Sequence, residues 1–513
     1  MIRNTPKRTD RSAVVLNLSV VARTLGGLLL FLGVALLMPA LVGWIYAEPS
    51  AWGFVWAAGL AFALGGGAWA ALGSPGREDV GAREGFAIVG LSWITLSLIG
   101  ALPFVLGGVL PSYTDAFFET MSGFTTTGAT ILGGAATPGI EAIPHAFHFW
   151  RSLAHWMGGM GIIVLTLAVL PILGVGGMQL FRAEVPGPSA DKLTPRVRET
   201  AKRLWLLYVG ITAIEVVALL PAMSLFDAVN HAFATMATGG FSPEGSSVGA
   251  YDSAYVDGVI TVFMFLAGMN FALHYRMLRG RPITVVRDTE FRVYASVVGG
   301  ATLLLVFATW QPTVALLPGD WAASAYTSLA TAVRYASFQV VAIITTTGFG
   351  TADYELWAPL ATGILFLLFF CGGMAGSTGG GIKVVRHVLL GKSVYKEIRQ
   401  LVHPQAVLPI RLNDAVVSRD VINNILGFLV LYLGLLFGGT IVVSALGLDL
   451  WSAFTAALSC VGNIGPAFGT VGPTDNYAHI PALGKWVLSF LMVAGRLEIY
   501  TVLILLAPAF WRQ

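Results

Sequence analysis

The 513 residues are 56% hydrophobic and only 11% charged, with mean hydropathy +0.76 and a formal net charge of +3. Soluble domains carry roughly 25% charged residues, so a core surrounded by water is excluded and lipid must solvate much of the chain. The two cysteines, Cys371 and Cys460, exclude a disulfide framework and a Cys-type zinc site.

The N-terminal MIRNTPKRTDRS is basic and leads into a long apolar run without a small-residue cleavage site. It reads as a retained helix, not a cleaved signal. Spans of about 20 residues, the length a bilayer core requires, are predicted over roughly 22–47, 51–72, 84–109 and 145–173. A weaker polar and Gly-rich stretch separates the last two. Further spans start near 203, 256, 292, 356, 419 and 482, about ten in all.

Basic residues orient these spans. Arg3, Lys7, Arg8 and Arg11 precede the first. One later loop carries Arg182, Lys192, Arg196, Arg198, Lys202 and Arg203, and the next carries Arg276, Arg279, Arg281, Arg287 and Arg292. A third holds Lys383, Arg386, Lys392, Lys396, Arg399, Arg411 and Arg419. The opposite side holds Asp115, Glu119, Asp227, Glu244, Asp252, Asp320, Asp353 and Asp475, and almost no base except Arg334. The positive-inside rule then places both termini in the cytoplasm. For most of these charges, setting topology is a sufficient role.

Four segments resemble one another: TTTGAT at 125–130, ATGGFS at 237–242, TTTGFG at 345–350 and GNIGPA at 462–467. They align on Gly128, Gly240, Gly348 and Gly465. Twelve positions upstream lies an alanine in each (Ala116, Ala228, Ala336, Ala453), and six positions upstream a small residue (Ser122, Ala234, Ala342, Ser459). A second echo, GGMG at 158–161, AGMN at 267–270, GGMA at 372–375 and AGRL at 494–497, falls in each following helix. Internal periodicity of this kind marks a repeat architecture. Each unit reads as an outer helix, a half-length helix, a Gly-containing turn and an inner helix. Units with an even number of crossings run parallel and share an axis along the membrane normal.

Irregular backbone at membrane depth is tolerated only inside protein or beside water. Potassium filters replace hydration water with rings of backbone carbonyls. Glycine permits the dihedrals this needs, threonine adds a stiff hydroxyl, and the negative C-terminal ends of the half-helices favour a cation. No filter segment carries a carboxylate, which argues against acidic-ring channels and calcium. Taken singly, each Gly-Thr piece is also what helix packing uses.

On these segments, and on LPILGVGGMQLFRAEVPGP at 170–188, LTPRVRETAK at 193–202, GMNFALHY at 268–275 and GGMAGSTGGGIK at 372–383, the chain resembles the TrkH/TrkG branch of the Trk/Ktr/HKT potassium transporter superfamily over nearly its whole length. The resemblance implies a filter of Thr126, Thr127, Gly128, Thr238, Gly239, Gly240, Thr346, Thr347, Gly348, Asn463, Ile464 and Gly465. Serine at the first glycine accompanies sodium preference in related plant transporters, so Gly128 favours potassium. It also implies a gate beneath the filter: an unwound loop of Gly372, Gly373, Ala375, Gly376, Ser377, Thr378, Gly379, Gly380 and Gly381, with Arg496 projecting into the pore beside it. So many glycines, at about 1 kcal/mol each, do weaken a helix, although a close packing face is the alternative. GSTGGGIK is not a Walker A loop, because Lys383 does not directly follow the last glycine. Arg496 stands where the other units have Met160, Met269 and Met374. An arginine at this depth needs the pore or a partner, and Glu498 is the nearest candidate partner in sequence.

The implied fold is an all-α polytopic membrane protein with about ten transmembrane helices and four re-entrant pore loops. A two-helix extension (1–80) precedes four pseudo-symmetric units at 81–190, 191–285, 286–400 (with the gating loop) and 401–513. K⁺ is the implied cargo and no organic cofactor is expected. The implied partners are a second copy of the chain and a peripheral cytosolic TrkA-type nucleotide-binding subunit, in the bacterial inner membrane. Glu215 reads either as a proton site or as a carboxyl bonded between helices. A metal site at His145, His148 and His155 lacks a completing carboxylate. Asn463 breaks the threonine pattern and makes the ring asymmetric, which fits modest selectivity. A proton- or sodium-coupled symporter and a scaffold with decayed filters are the competing readings, and four intact glycines speak against the second.

Overall fold

A computed structural model of the chain describes residues 16–72, 81–168, 193–317, 319, 325–413 and 415–511. The 170–188 motif, the basic N-terminal residues, Arg182, Lys192 and Asp320 lie outside the described residues. Apart from one short antiparallel ladder, Arg411–Leu412 with Ala415–Val416, the regular structure of the described residues is helical. The chain is an all-α polytopic membrane protein.

Among the described residues, five helices are long and apolar enough to cross a bilayer without interruption: Leu18–Ile45, Pro49–Ala71, Arg83–Leu106, Thr289–Thr309 and Arg419–Ala445. A sixth is the pair Ala254–Ala267 and Phe271–Leu278, bent by 100°. Leu303, Val430 and Ile441 stand exposed on them, as expected of helices whose outer face meets lipid. The first two helices approach closely because small residues face each other. A β-carbon on Gly65 would come within 2.6 Å of the Gly26 carbonyl oxygen, the small-residue contact typical of membrane helices.

The remaining segments do not read as simple spans, and the reason is local. The inner helices break at the second glycine echo. Ala254–Ala267 stops at Gly268, Pro359–Leu368 gives way to a non-helical stretch before Val384–Val402, and Ala482–Arg496 stops before Tyr500–Leu506. Only His145–Ala168 continues through its echo. In the first break Asn270 caps the new helix, accepting from the Ala272 amide.

Four short helices, Tyr113–Phe124, Leu225–Met236, Leu329–Ile344 and Leu450–Gly462, each end a few residues before one of the four aligned glycines. Ser112, Ser224 and Asp449 cap three of them through side-chain oxygens. The upstream alanines Ala116, Ala228, Ala336 and Ala453 are all fully buried, so larger side chains there would clash with the surrounding helices.

Candidate functional site

The four short helices end in one and the same closure. Amides of Thr126, Thr238, Thr346 and Asn463 bond the carbonyls of Gly123, Thr235, Ile343 and Cys460 at 3.1, 2.9, 2.9 and 3.4 Å. The next amides, of Thr127, Gly239, Thr347 and Ile464, reach back to Ser122, Ala234, Ala342 and Ser459 at 2.9, 2.8, 2.8 and 3.0 Å. This pair of bonds is the Schellman closure, which requires left-handed backbone at the first of the two residues. Thr126, Thr238, Thr346 and Asn463 have φ of 52°, 55°, 60° and 54°. Threonine is a strained occupant of that region and asparagine a tolerated one. The backbone of Asn463 therefore keeps the register of the threonines. Its difference lies in the side chain, whose Nδ2 donates to Thr127 Oγ1 (3.0 Å) and the Met492 carbonyl (2.9 Å).

The glycines two residues later also have positive φ: 79°, 81°, 73° and 101° for Gly128, Gly240, Gly348 and Gly465. A β-carbon on Gly128 would stand 2.2 Å from the Gly239 carbonyl oxygen. On Gly240 it would meet Thr347 O at 2.0 Å, on Gly348 Ile464 O at 1.9 Å, and on Gly465 Thr127 O at 2.6 Å. Each glycine thus abuts the aligned carbonyl of the next segment, and the fourth returns to the first. The four segments form a closed ring around one centre. Buried carbonyls in folded proteins are nearly always paired. Here, among the described residues, eleven of the twelve carbonyls from 126–128, 238–240, 346–348 and 463–465 accept no hydrogen bond. The hydroxyls beside them are tied back in matching pairs, Thr125 to Thr127 and Thr345 to Thr347, both at 2.8 Å.

Gly239 replaces the bulkier residue found in the other segments because His155 stands behind it. A β-carbon there would fall 2.4 Å from the imidazole. His155 bonds the Gly123 carbonyl through Nδ1 (2.8 Å) and the Phe241 amide through Nε2 (3.3 Å). It braces two ring segments; no cluster of three metal-ligating side chains occurs among the described residues.

On one side the ring opens into a cavity of about 310 Å³ lined by all four glycines and by Glu141, Glu244 and Asp475. On the other side lies the glycine-rich stretch. Residues 371–383 are non-helical and fold directly beneath the ring. Thr378 Oγ1 donates to the carbonyls of Met236 (3.0 Å) and Ala267 (3.2 Å), and the Gly380 amide donates to Thr346 Oγ1 (2.6 Å). β-Carbons on Gly379 and Gly380 would meet Thr345 O at 2.9 Å and Gly462 O at 2.5 Å. Gly372 and Gly373 pack as tightly, against Gly380 O (2.3 Å) and Gly268 O (2.9 Å). Gly376 and Gly381 turn the loop at φ 75° and 64°. Ser377 Oγ bonds the Met374 carbonyl, and the Ala375 amide bonds the Glu290 carboxylate.

Arg496 is buried against this loop. Nη1 donates to the Thr378 carbonyl at 2.6 Å and Nη2 to the Gly158 carbonyl at 3.3 Å. Glu498 is not its partner; that carboxylate pairs with Arg386, which lies over the Phe428 ring. Glu215 is fully buried beside the Thr235 hydroxyl, which itself donates to the His231 carbonyl at 2.8 Å.

Two ion pairs amend the charge reading. Arg151 bonds Glu119 at 2.8 Å with both side chains buried, and Lys485 pairs with Asp115. Arg334, half-buried, bonds Asp257 at 2.6 Å. The acidic side therefore holds Arg151 and Lys485 as well as Arg334, and part of its negative charge is neutralised. Arg151 also donates to the Ser242 carbonyl (3.1 Å), while Glu119 accepts from the Ile131 amide (2.9 Å). The pair thus fastens the backbone just beyond the first and second ring segments. Only a charged residue inside an apolar stretch signals it in sequence.

Residues 54–513 match the TrkH family model, described as cation transport protein. The chain is 41% identical to the Trk system potassium uptake protein TrkH of Salmonella typhimurium over 500 residues, covering 96% of this chain and 99% of that one. It is 34% identical to TrkG of Escherichia coli over 499 residues, with 96% and 99% covered. The crystal structure of the potassium transporter TrkH from Vibrio parahaemolyticus superposes with a TM-score of 0.85 at 36% identity, covering 97% of this chain and all of that one. With matches spanning nearly its whole length, to transport proteins and not to enzymes, the chain belongs to the TrkH family of cation transport proteins.

Proposed function

We propose that this protein takes up potassium across the bacterial inner membrane through a gated pore, with the ring of Thr126–Gly128, Thr238–Gly240, Thr346–Gly348 and Asn463–Gly465 as its selectivity filter. The observation that carries the reading is the set of eleven unpaired carbonyls in a closed ring. Leaving a buried carbonyl unsatisfied costs about 1–3 kcal/mol, and a dehydrated monovalent cation is the partner that would repay all of them at once. Similarity to relatives named for potassium uptake supports the choice of ion. The four units at 81–190, 191–285, 286–400 and 401–513, after the extension at 1–80, each supply one side.

The loop at 372–381 with Arg496 is the gate. It closes against the filter from below, and the arginine joins it to the first and fourth inner helices. The basic residues on the loop side support the reading that this side, and both termini, face the cytoplasm. The system named in the relatives is consistent with further components: a second copy of the chain and a TrkA-type regulator docked on the basic stretch 383–418. Proton coupling is the alternative, favoured by the fully buried Glu215 carboxyl.

Rubidium flux into liposomes, competed by sodium, tests the filter. Gly128→Ser places a β-carbon against Gly239 O at positive φ, so the ring must deform and discrimination between rubidium and sodium must fall. Unchanged discrimination refutes the filter. Uptake that needs no proton gradient and drives no proton flux refutes obligatory proton symport.

A further inference from the structure

The ring is not four-fold at its outermost level. Among the described residues eleven filter carbonyls accept no hydrogen bond, but the twelfth, Gly465 O, accepts two. Ser459 Oγ donates at 2.7 Å, with the Pro466 carbonyl 3.1 Å away as a second acceptor for its single proton, and the Tyr477 hydroxyl donates at 2.8 Å. A carbonyl oxygen has two lone pairs, so this one is fully engaged by protein. Burial agrees: Gly128, Gly240 and Gly348 are partly open toward the mouth cavity, whereas Gly465 is buried.

The cause is local sequence. Pro466 follows Gly465 where Ala129, Phe241 and Phe349 follow the other glycines, and proline restricts the residue before it. Gly465 accordingly has φ 101°, against 73–81° in the other three. A hydroxyl at the upstream position is not enough. Ser122 occupies the place of Ser459 in the first segment, and its Oγ has no partner. The second donor, Tyr477, is held independently, with its amide on the Thr130 carbonyl (2.8 Å) and its ring against Phe118.

We propose that the outermost coordination level of the filter is three-sided, built from the carbonyls of Gly128, Gly240 and Gly348. Ser459 and Tyr477 are the specificity-determining residues that hold the fourth oxygen back. The inference rests on the filter reading above. An ion at this level meets three protein oxygens and keeps water on the fourth side, so the entry site takes a partly hydrated monovalent cation and discriminates less than a complete ring.

The test uses the full-length protein in liposomes, with rubidium as the probe and sodium as the competitor. Tyr477→Phe and Ser459→Ala, singly and together, release the Gly465 carbonyl. The half-saturating rubidium concentration is expected to fall by about fivefold, the worth of roughly one hydrogen bond, and sodium competition to weaken. The double variant should exceed either single one. Gly240→Ala, which strikes the opposite side of the ring, is run in parallel. If the folded serine and tyrosine variants keep wild-type half-saturation and competition while Gly240→Ala loses discrimination, the three-sided level is wrong and the filter stands. If Gly240→Ala also discriminates normally, the filter reading fails and this inference with it. Tyr477→Phe keeps the buried ring, and it decides the matter alone should the double variant not fold.

Discussion

Replacing Arg496 by alanine should increase ion flux. Its guanidinium makes a short charge-assisted bond to the Thr378 carbonyl (2.6 Å) and a longer one to Gly158 (3.3 Å). Hydrogen bonds to charged groups contribute about 1.5–3 kcal/mol. Taking about 2 kcal/mol for the shorter bond alone, its loss shifts the balance between a docked and an undocked loop by about 30-fold. Flux rises by at most that factor, because Thr378 Oγ1 still holds Met236 and Ala267. Arg496→Lys should fall between the two: one ammonium on a shorter stem cannot span both carbonyls in the same geometry. Rubidium uptake into liposomes, normalised to folded protein, is the assay. Uptake in Arg496→Ala that is unchanged or lower, at an unaltered elution profile, would refute the latch.

Three further outcomes follow from the same geometry. Gly239→Ala should abolish selective uptake, and His155→Ala in the same chain should restore part of it, since the imbalance is a β-carbon 2.4 Å from the imidazole; a double variant no better than the single one, measured by rubidium uptake, removes that explanation. Arg151→Met should lower thermal stability by about 3–5 kcal/mol, because it strands the Glu119 carboxylate in a buried site, and Glu119→Gln in the same chain should recover much of the loss in a melting experiment. At the mouth, burial first, then the charges of Asp227 and Glu141, raise the Glu244 carboxyl above its ordinary range. It therefore gains its proton earlier than a free carboxylate as the pH on the mouth side falls, and apparent rubidium affinity should weaken over that interval in the native chain and less in Glu244→Gln.

The ring was legible because its geometry makes demands that only certain residues meet. Positive φ at Gly128, Gly240, Gly348 and Gly465 leaves glycine as the natural occupant, so one backbone shape used four times writes the same letter four times. The small residues six positions upstream receive the closing hydrogen bond of each turn, and they too recur. Asn463 looked like a defect because side-chain chemistry was compared; its backbone matches the threonines. The break in the third inner helix at 372–381 was implied by the resemblance, and its glycine content agreed with it while leaving close packing open. The breaks after Ala267 and Arg496 were less visible, since a single glycine is compatible with either a kink or close packing.

Sequence alone determined what depends on nearest neighbours and on solvent: the lipid environment, the four-fold recurrence of the motif, and the glycines where backbone turns left-handed, but not the left-handed Thr126, Thr238, Thr346 and Asn463 two positions earlier. Partnership at a distance was decided only by the tertiary structure. Arg496 reaches Thr378 and Gly158, 118 and 338 residues away, although Glu498 is two positions on. Glu119 finds Arg151, and Tyr477 takes one lone pair of Gly465. A charged or polar side chain in an apolar surrounding must find a partner, but its own sequence neighbourhood does not say which one, because that is settled by how the helices pack.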